Sequence, residues 1–270
     1  MLKPGYIFRK DKKLGKVIAI FNQKGGVGKT TTNINLAASL AMLGKRILMI
    51  DMDPQGNTTS GIGVAKNEPR YTAYHLLIEK DFDTKKAIIH TGTRNLDLIP
   101  ANVDLAGAEV ELVQMEGRET LLRNAINKIR RRYDYIFIDC PPSLGLLTLN
   151  ALSAVQSVLI PIQCEFYALE GVSQLVSTID LVRRNMNPKL QIEGVVLSMF
   201  DGRIKLSIQV VQEAKKYFGA KVYKTVIPRN VRLAEAPSFG MPVIEYDPRS
   251  KGAMAYHKFA KEFLDREEGR

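Results

Sequence analysis

Every residue in Lys24-Gly25-Gly26-Val27-Gly28-Lys29-Thr30-Thr31 has a chemical use around a polyphosphate. Glycines let backbone N–H groups turn inward and approach phosphate oxygens with no Cβ in the way. Lys29 brings a point charge to the β- and γ-phosphates, and the Thr30 hydroxyl is a magnesium ligand. A helix beginning here adds its free N–H groups and its positive dipole end. The general phosphate-loop pattern is G-x-x-x-x-G-K-[ST]. Its first glycine belongs at position 23, where this chain has Gln23, and a second lysine, Lys24, heads the loop instead. Two further groups fit the same chemistry. Asp139 ends the apolar run Tyr135-Ile136-Phe137-Ile138, where an ionised carboxylate is costly without a cation or donors. Holding Mg²⁺ through water supplies them. Asp53 lies two residues beyond another apolar run and precedes Pro54, which disfavours helix continuation. It is the candidate for placing an attacking water. Alone, Asp139 would read better as a turn cap before Pro141-Pro142, but beside the loop it does not; Asp51 and Asp53 could also merely bound a turn.

These groups need elements to position them. The apolar run 17–21 reads as a strand leading into the loop. Ile34, Ala37, Ala38, Ala41 and Met42 recur at helical spacing after it, and Gly44 is a natural stop. Further strands are expected over 46–51, 96–100, 135–139, 158–162, 192–199 and 222–227. Helices are expected over 120–133, 169–184, 205–218 and 253–264. The run Arg130-Arg131-Arg132 suits a helix C-terminus. This alternation predicts an α/β, doubly wound, mainly parallel sheet flanked by helices, with ligand loops at the C-terminal strand edge. Residues 1–15, polar and basic, read as a flexible tail, and 16–270 as one domain.

The loop pattern K-G-G-x-G-K-[ST] is the deviant Walker A signature, and the chain resembles the ParA/Soj chromosome- and plasmid-partitioning ATPases. Asp51-Met52-Asp53-Pro54-Gln55-Gly56-Asn57 resembles that family's second motif. Residues 135–143 resemble its Walker B strand and switch. Residues 226–238, which include Pro228, Asn230 and Arg232, resemble its base-binding and C-terminal signature. The resemblance implies a P-loop NTPase with ATP and Mg²⁺ as cofactors. It places ATP on Lys24, Gly25, Gly26, Val27, Gly28, Lys29, Thr30, Thr31, Pro228 and Asn230. It places the metal at Thr30 and, through water, Asp139, with Asp51 nearby. Asp53 is implied in hydrolysis. Lys24 is implied to reach across a homodimer to the partner's phosphates, so that ATP binding drives dimerisation and hydrolysis releases it. The asparagine amide of Asn230 can read an adenine edge as donor and acceptor.

Composition bounds the rest. A net charge of +11 and a pI near 9.6 point to a polyanionic partner. The cations concentrate late, and among them Lys216 and Lys251 are expected DNA contacts. The resemblance implies DNA-contacting arginines at Arg203 and Arg232. No base-reading module is evident, so double-stranded DNA would be bound through phosphate, without sequence preference. The family's other implied partner is a ParB/Spo0J-like centromere-binding protein with a basic N-terminal peptide. The cytoplasm, at the nucleoid, is the expected location. No apolar run is long enough for a membrane span. Cys140 and Cys164 show no metal-ligand spacing and read as buried thiols. The alternative is a MinD-like membrane-associated ATPase for cell-division site placement, which shares the loop. It needs a C-terminal amphipathic anchor. Here Phe259, Phe263 and Leu264 precede Asp265-Arg266-Glu267-Glu268, whose acids disfavour an anionic bilayer, so core packing explains the apolar stripe better.

Overall fold

Apolar runs without polar alternation need cover on both faces, and the sheet gives it to them. The computed structural model describes residues 14–165 and 170–269. Its strands are β1 (Lys16–Ile20), β2 (Ile47–Asp51), β3 (Ile89–His90), β4 (Leu96–Ile99), β5 (Tyr135–Asp139), β6 (Ser157–Gln163), β7 (Gln191–Phe200) and β8 (Val222–Pro228). They form one eight-stranded sheet in the order β3-β4-β2-β5-β1-β6-β7-β8. Only the edge pair β3–β4 is antiparallel.

Side chains of the central strands divide between two cores. Val17, Ala19, Ile136 and Ile138 face one layer. Ile18, Ile20, Tyr135 and Phe137 face the other. The first layer includes α3 (Ala73–Ile78), α4 (Asp104–Glu111), α5 (Leu121–Asn127), α6 (Leu146–Ala154), α7 (Glu170–Asn185) and α8 (Lys205–Phe218). The second is led by α1 (Lys29–Met42) and α11 (Lys251–Glu268). Short helices α2 (Asn57–Gly61), α9 (Val231–Glu235) and α10 (Val243–Tyr246) close the C-terminal strand edge.

The apolar stripe of α11 lies in the second core. Tyr256, Phe259 and Phe263 are fully buried. The Phe263 ring packs edge-on to Tyr135 at 5.2 Å and tilted against Phe137 at 6.1 Å. Phe263→Ala is therefore expected to cost about 3–5 kcal/mol of stability. Equilibrium denaturation measures this, and a negligible loss would mean that the stripe is not a core element in solution.

One expected helix changes in the structure, one helix was not expected, and the expected tail stays untested. The helix expected over 120–133 stops at Asn127, and Arg130–Arg132 form a separate 3₁₀ turn. Ile129 must turn into the core, and the Arg130 guanidinium donates to the Gly15 carbonyl at 2.5 Å. That docking outweighs the helix-end placement expected of the arginines. Second, α6 had no periodicity to reveal it: Leu147, Thr148 and Asn150 through Ala154 are all buried. Third, the tail expected over 1–15 lies outside the described residues except for Leu14 and Gly15. The Gly15 N–H donates to the Arg130 carbonyl at 3.2 Å.

Candidate functional site

Parallel register gathers the chemistry at one strand edge. Ile20 of β1 and Asp51 of β2 both pair with Asp139 of β5. The loop after β1 therefore rises beside Asp139, with Asp51 one strand further away. Gly26 and Gly28 adopt φ of +74° and +87°, a left-handed backbone that favours glycine. A Cβ on Gly25 or Gly26 would meet nothing within 4 Å, so the space over the loop is open to a ligand.

The loop is fastened from outside. Asn22 donates to the Pro161 carbonyl at 2.8 Å and accepts from the Lys24 N–H at 3.0 Å. The Ser198 hydroxyl donates to the Val27 carbonyl at 2.8 Å. Gln23, standing where the general pattern has glycine, donates to the Thr178 hydroxyl of α7 at 3.0 Å. The deviant position is thus a tether between the loop and α7.

Lys29 opens α1 and is nearly buried, its ammonium donating to the Lys24 carbonyl at 3.1 Å. Burial lowers its pKa, while Asp139, Cys140 and Asp53 oppose that shift. Asp139 Oδ2 accepts from the Thr30 hydroxyl at 2.8 Å and from the Thr58 hydroxyl at 2.8 Å. Its Oδ1 is buried with no partner among the described residues. A hydroxyl that donates to Asp139 keeps its lone pairs, so Thr30 and the unpartnered Asp139 oxygen form a hard-oxygen donor set suited to Mg²⁺. Burial raises the pKa of Asp139 and of Asp51, and Asp51 is raised further by Asp139.

Asp51 is occupied differently. Its Oδ1 accepts from the Asp53 N–H at 3.2 Å, and its Oδ2 from the Thr59 N–H at 2.9 Å and hydroxyl at 2.7 Å. It anchors the turn that carries Asp53. Asp53 is half-buried, with Oδ1 accepting from the Gln55 N–H at 2.9 Å.

Beside the loop a cleft of about 390 Å³ is lined by Gly28, Thr31, Met199, Pro228, Asn230 and Tyr256 among others. The Asn230 side-chain Oδ1 is buried beside Gly252 with no partner among the described residues. Met199 takes φ +52° as the chain leaves β7 past this cleft.

Thr58, Asn33, Ser198 and Met199 escape a motif reading. Asn33 donates to Thr58 at 3.2 Å, extending the contacts of Asp139 back into α1. Their signal was position alone: Thr58 immediately follows the second motif and Asn33 lies one helical turn past Lys29.

The expected DNA-contacting residues fall in two places. Arg203, Arg232 and Lys251 lie toward the C-terminal edge of β7 and β8. The Arg229 N–H bonds the Phe200 carbonyl there, and Gly252 abuts Leu233 of α9. Lys216 lies eleven residues along α8 from Lys205, about 16 Å away down the axis. Arg203 is highly exposed and forks onto Asp201 at 2.9 and 2.6 Å. Arg232 contacts Glu235 at 2.7 Å and Asp247 at 3.3 Å.

Comparison with known proteins agrees with this geometry. A family model described as an AAA domain matches residues 15–192. The chain is 59% identical over 249 residues to the sporulation initiation inhibitor protein Soj of Bacillus subtilis, across 92% of this chain and 98% of that one. It is 54% identical over 254 residues to the chromosome partitioning protein ParA of Myxococcus xanthus, across 94% and 89%. A solved structure of cobyrinic acid a,c-diamide synthase from Mycobacterium smegmatis, with bound ADP and magnesium, superposes with a TM-score of 0.83. It is 37% identical, across 95% of this chain and 97% of that one. Similar to Soj and ParA over nearly its whole length, the chain belongs to the ParA/Soj family of partitioning P-loop ATPases.

Proposed function

We propose that this chain is a DNA-segregation ATPase in which ATP assembles a homodimer, the dimer holds nucleoid DNA without sequence preference, and hydrolysis releases it. One ATPase domain, 16–270, carries the cycle. The observation that supports this most is the convergence of a buried lysine and two buried side-chain oxygens, Asp139 Oδ1 and Asn230 Oδ1, that have no partner among the described residues, around one glycine loop. These are sites for a triphosphate, its metal and its base. Thr30 and, through water, Asp139 would hold Mg²⁺, which neutralises charge between the β- and γ-phosphates when bound. Lys29 and the loop N–H groups orient the triphosphate. Lys24 reaches the partner subunit's phosphates, so the nucleotide becomes part of the interface. Asp53 positions the attacking water. Turnover is slow until a ParB/Spo0J-like centromere-binding protein presents a basic segment.

The MinD-like alternative finds no support in α11, whose aromatic residues Tyr256, Phe259 and Phe263 are buried in the core. No helix among the described residues is long and apolar enough to cross a membrane.

Asp53→Ala tests the cycle. It removes water placement and leaves phosphate and metal contacts in place. Turnover is expected to fall about 10²-fold or more, with ATP binding retained and the dimer persisting in size-exclusion chromatography with ATP. Hydrolysis at the wild-type rate would remove Asp53 from the chemistry.

A further inference from the structure

The chain is strongly basic, yet one stretch reverses that sign. From Asp97 to Glu119 the carboxylates are Asp97, Asp104, Glu109, Glu111, Glu116 and Glu119, against one cation, Arg118. Arg118 is spent on Glu119 at 3.1 Å. Among the described residues, Asp104, Glu109, Glu111 and Glu116 have no ion pair. The same stretch holds α4, whose inner side buries Leu105 and Ala108 in the core. Its outer side is apolar too. Val103, Ala106, Gly107 and Val110 recur at the i, i+3, i+4, i+7 spacing of one helix face. Val103 is 76% exposed and Val110 74%, and Val113 continues the stripe at 53%. Glu111 accepts from the Tyr74 hydroxyl at 2.9 Å and Asp104 from the Asn102 amide at 2.8 Å, but neither meets a cation. An apolar stripe with small residues at its middle, rimmed by carboxylates that lack ion pairs, matches an amphipathic helix carrying lysine or arginine.

A second observation connects this face to the nucleotide. Glu109 Oε1 is shielded from solvent and lacks a partner among the described residues. It presses on Gly145, where a Cβ would collide with it. Gly145 begins α6 and ends the segment that leaves Asp139 through Pro141-Pro142-Ser143-Leu144. The Ser143 carbonyl in that segment accepts from the Thr148 hydroxyl of α6 at 2.6 Å.

We infer that the outer face of α4, with Glu109, Glu111, Glu116 and Val110, is the docking surface for a cationic amphipathic segment of a partner protein. The surface reports binding to the Asp139 segment through Glu109 and Gly145. This rests on the partner reading above and supplies the place on this chain. A bound ammonium or guanidinium gives Glu109 the partner it lacks and draws it off Gly145. A second copy of this chain is disfavoured as occupant, because a two-fold contact here would set Glu111 and Glu116 against their own counterparts.

The test uses the full chain, Mg-ATP and a synthetic peptide of the basic N-terminal segment of the cognate centromere-binding protein. Peptide binding is read by fluorescence anisotropy, and ATP turnover is read with and without peptide. The double variant Glu111→Lys/Glu116→Lys and the single variant Val110→Asp are each expected to weaken peptide binding about tenfold or more. Unstimulated turnover should be unchanged. Glu109→Gln is expected to bind peptide with smaller stimulation. A photo-crosslinker at Val110 should capture the peptide. Wild-type stimulation that persists in both surface variants overturns the docking surface while leaving the partner reading standing. No binding or stimulation of the wild type overturns both. Crosslinking of Val110 to a second copy of this chain, with or without peptide, makes the face a self-interface and overturns the proposal.

Discussion

Lys29→Ala is expected to abolish ATP binding by the monomer at micromolar nucleotide, whereas Lys24→Ala should bind ATP as a monomer and fail to dimerise with it. The two lysines sit five residues apart on one loop, and their surroundings separate them. Lys29 is nearly buried at the start of α1, and its ammonium donates to a backbone carbonyl of the same loop. Burial has already lowered its pKa, so a triphosphate arriving beside it meets a cation short of solvent. Removing one partner of a buried charge pair costs about 2–5 kcal/mol, or roughly thirtyfold and upward in affinity. Lys24 stands at the loop entrance and is half-buried. Its loss should leave the contacts within one subunit intact. Isothermal titration with ATP separates the first effect, and light scattering with Mg-ATP the second. A Lys24→Ala protein that dimerises normally would return the deviant lysine to a solvated loop residue.

The loop was legible because its chemistry is local, and Asp51 and Asp139 because each ends an apolar strand. Glycine, lysine and threonine must be adjacent in sequence to act on one phosphate group, so the pattern survives in one dimension. The strands were legible for a related reason: burial on both faces demands an unbroken apolar run, as in Tyr135-Ile136-Phe137-Ile138. What escaped depends on the third dimension. Thr58 reaches Asp139 from 81 positions away, and Ser198 reaches Val27 from 171. Neither residue type is unusual where it stands. α6 is buried on nearly every side and carries no period, and β3 has two residues, too few for any pattern. The arginine run after α5 misleads because its interaction with Gly15 is tertiary. The acidic face of α4 was hidden by an average, since a net charge of +11 says nothing of where the minority sign collects.

DNA binding is expected to require ATP, to ignore sequence, and to be lost in Arg203→Glu and Arg232→Glu while the ATP dimer survives. Both arginines are exposed and lie outside the phosphate loop, so neither change touches the nucleotide. Each is already engaged, Arg203 with Asp201 and Arg232 with Glu235 and Asp247. Those pairs are no obstacle. Exposed ion pairs are worth about 0–1 kcal/mol, so a phosphate can replace the carboxylate at little cost. One subunit offers a small patch, and a dimer presents it twice on one body. Linking the two sites can raise avidity about 10²-fold or more over either alone, which is why nucleotide state should gate binding. Salt gives a quantitative check. Each phosphate neutralised on duplex DNA contributes about 0.9 to the slope of log affinity against log salt. Arg203→Ala removes one contact per subunit, hence two per dimer, and should flatten the slope by about 1.8. Anisotropy on unrelated duplexes over a salt series, with ATP or ADP, measures all of this. Equal affinity in the two nucleotides would detach DNA from the cycle. Unchanged affinity in both glutamate variants would return these arginines to the role of solvated surface charges paired with their own carboxylates.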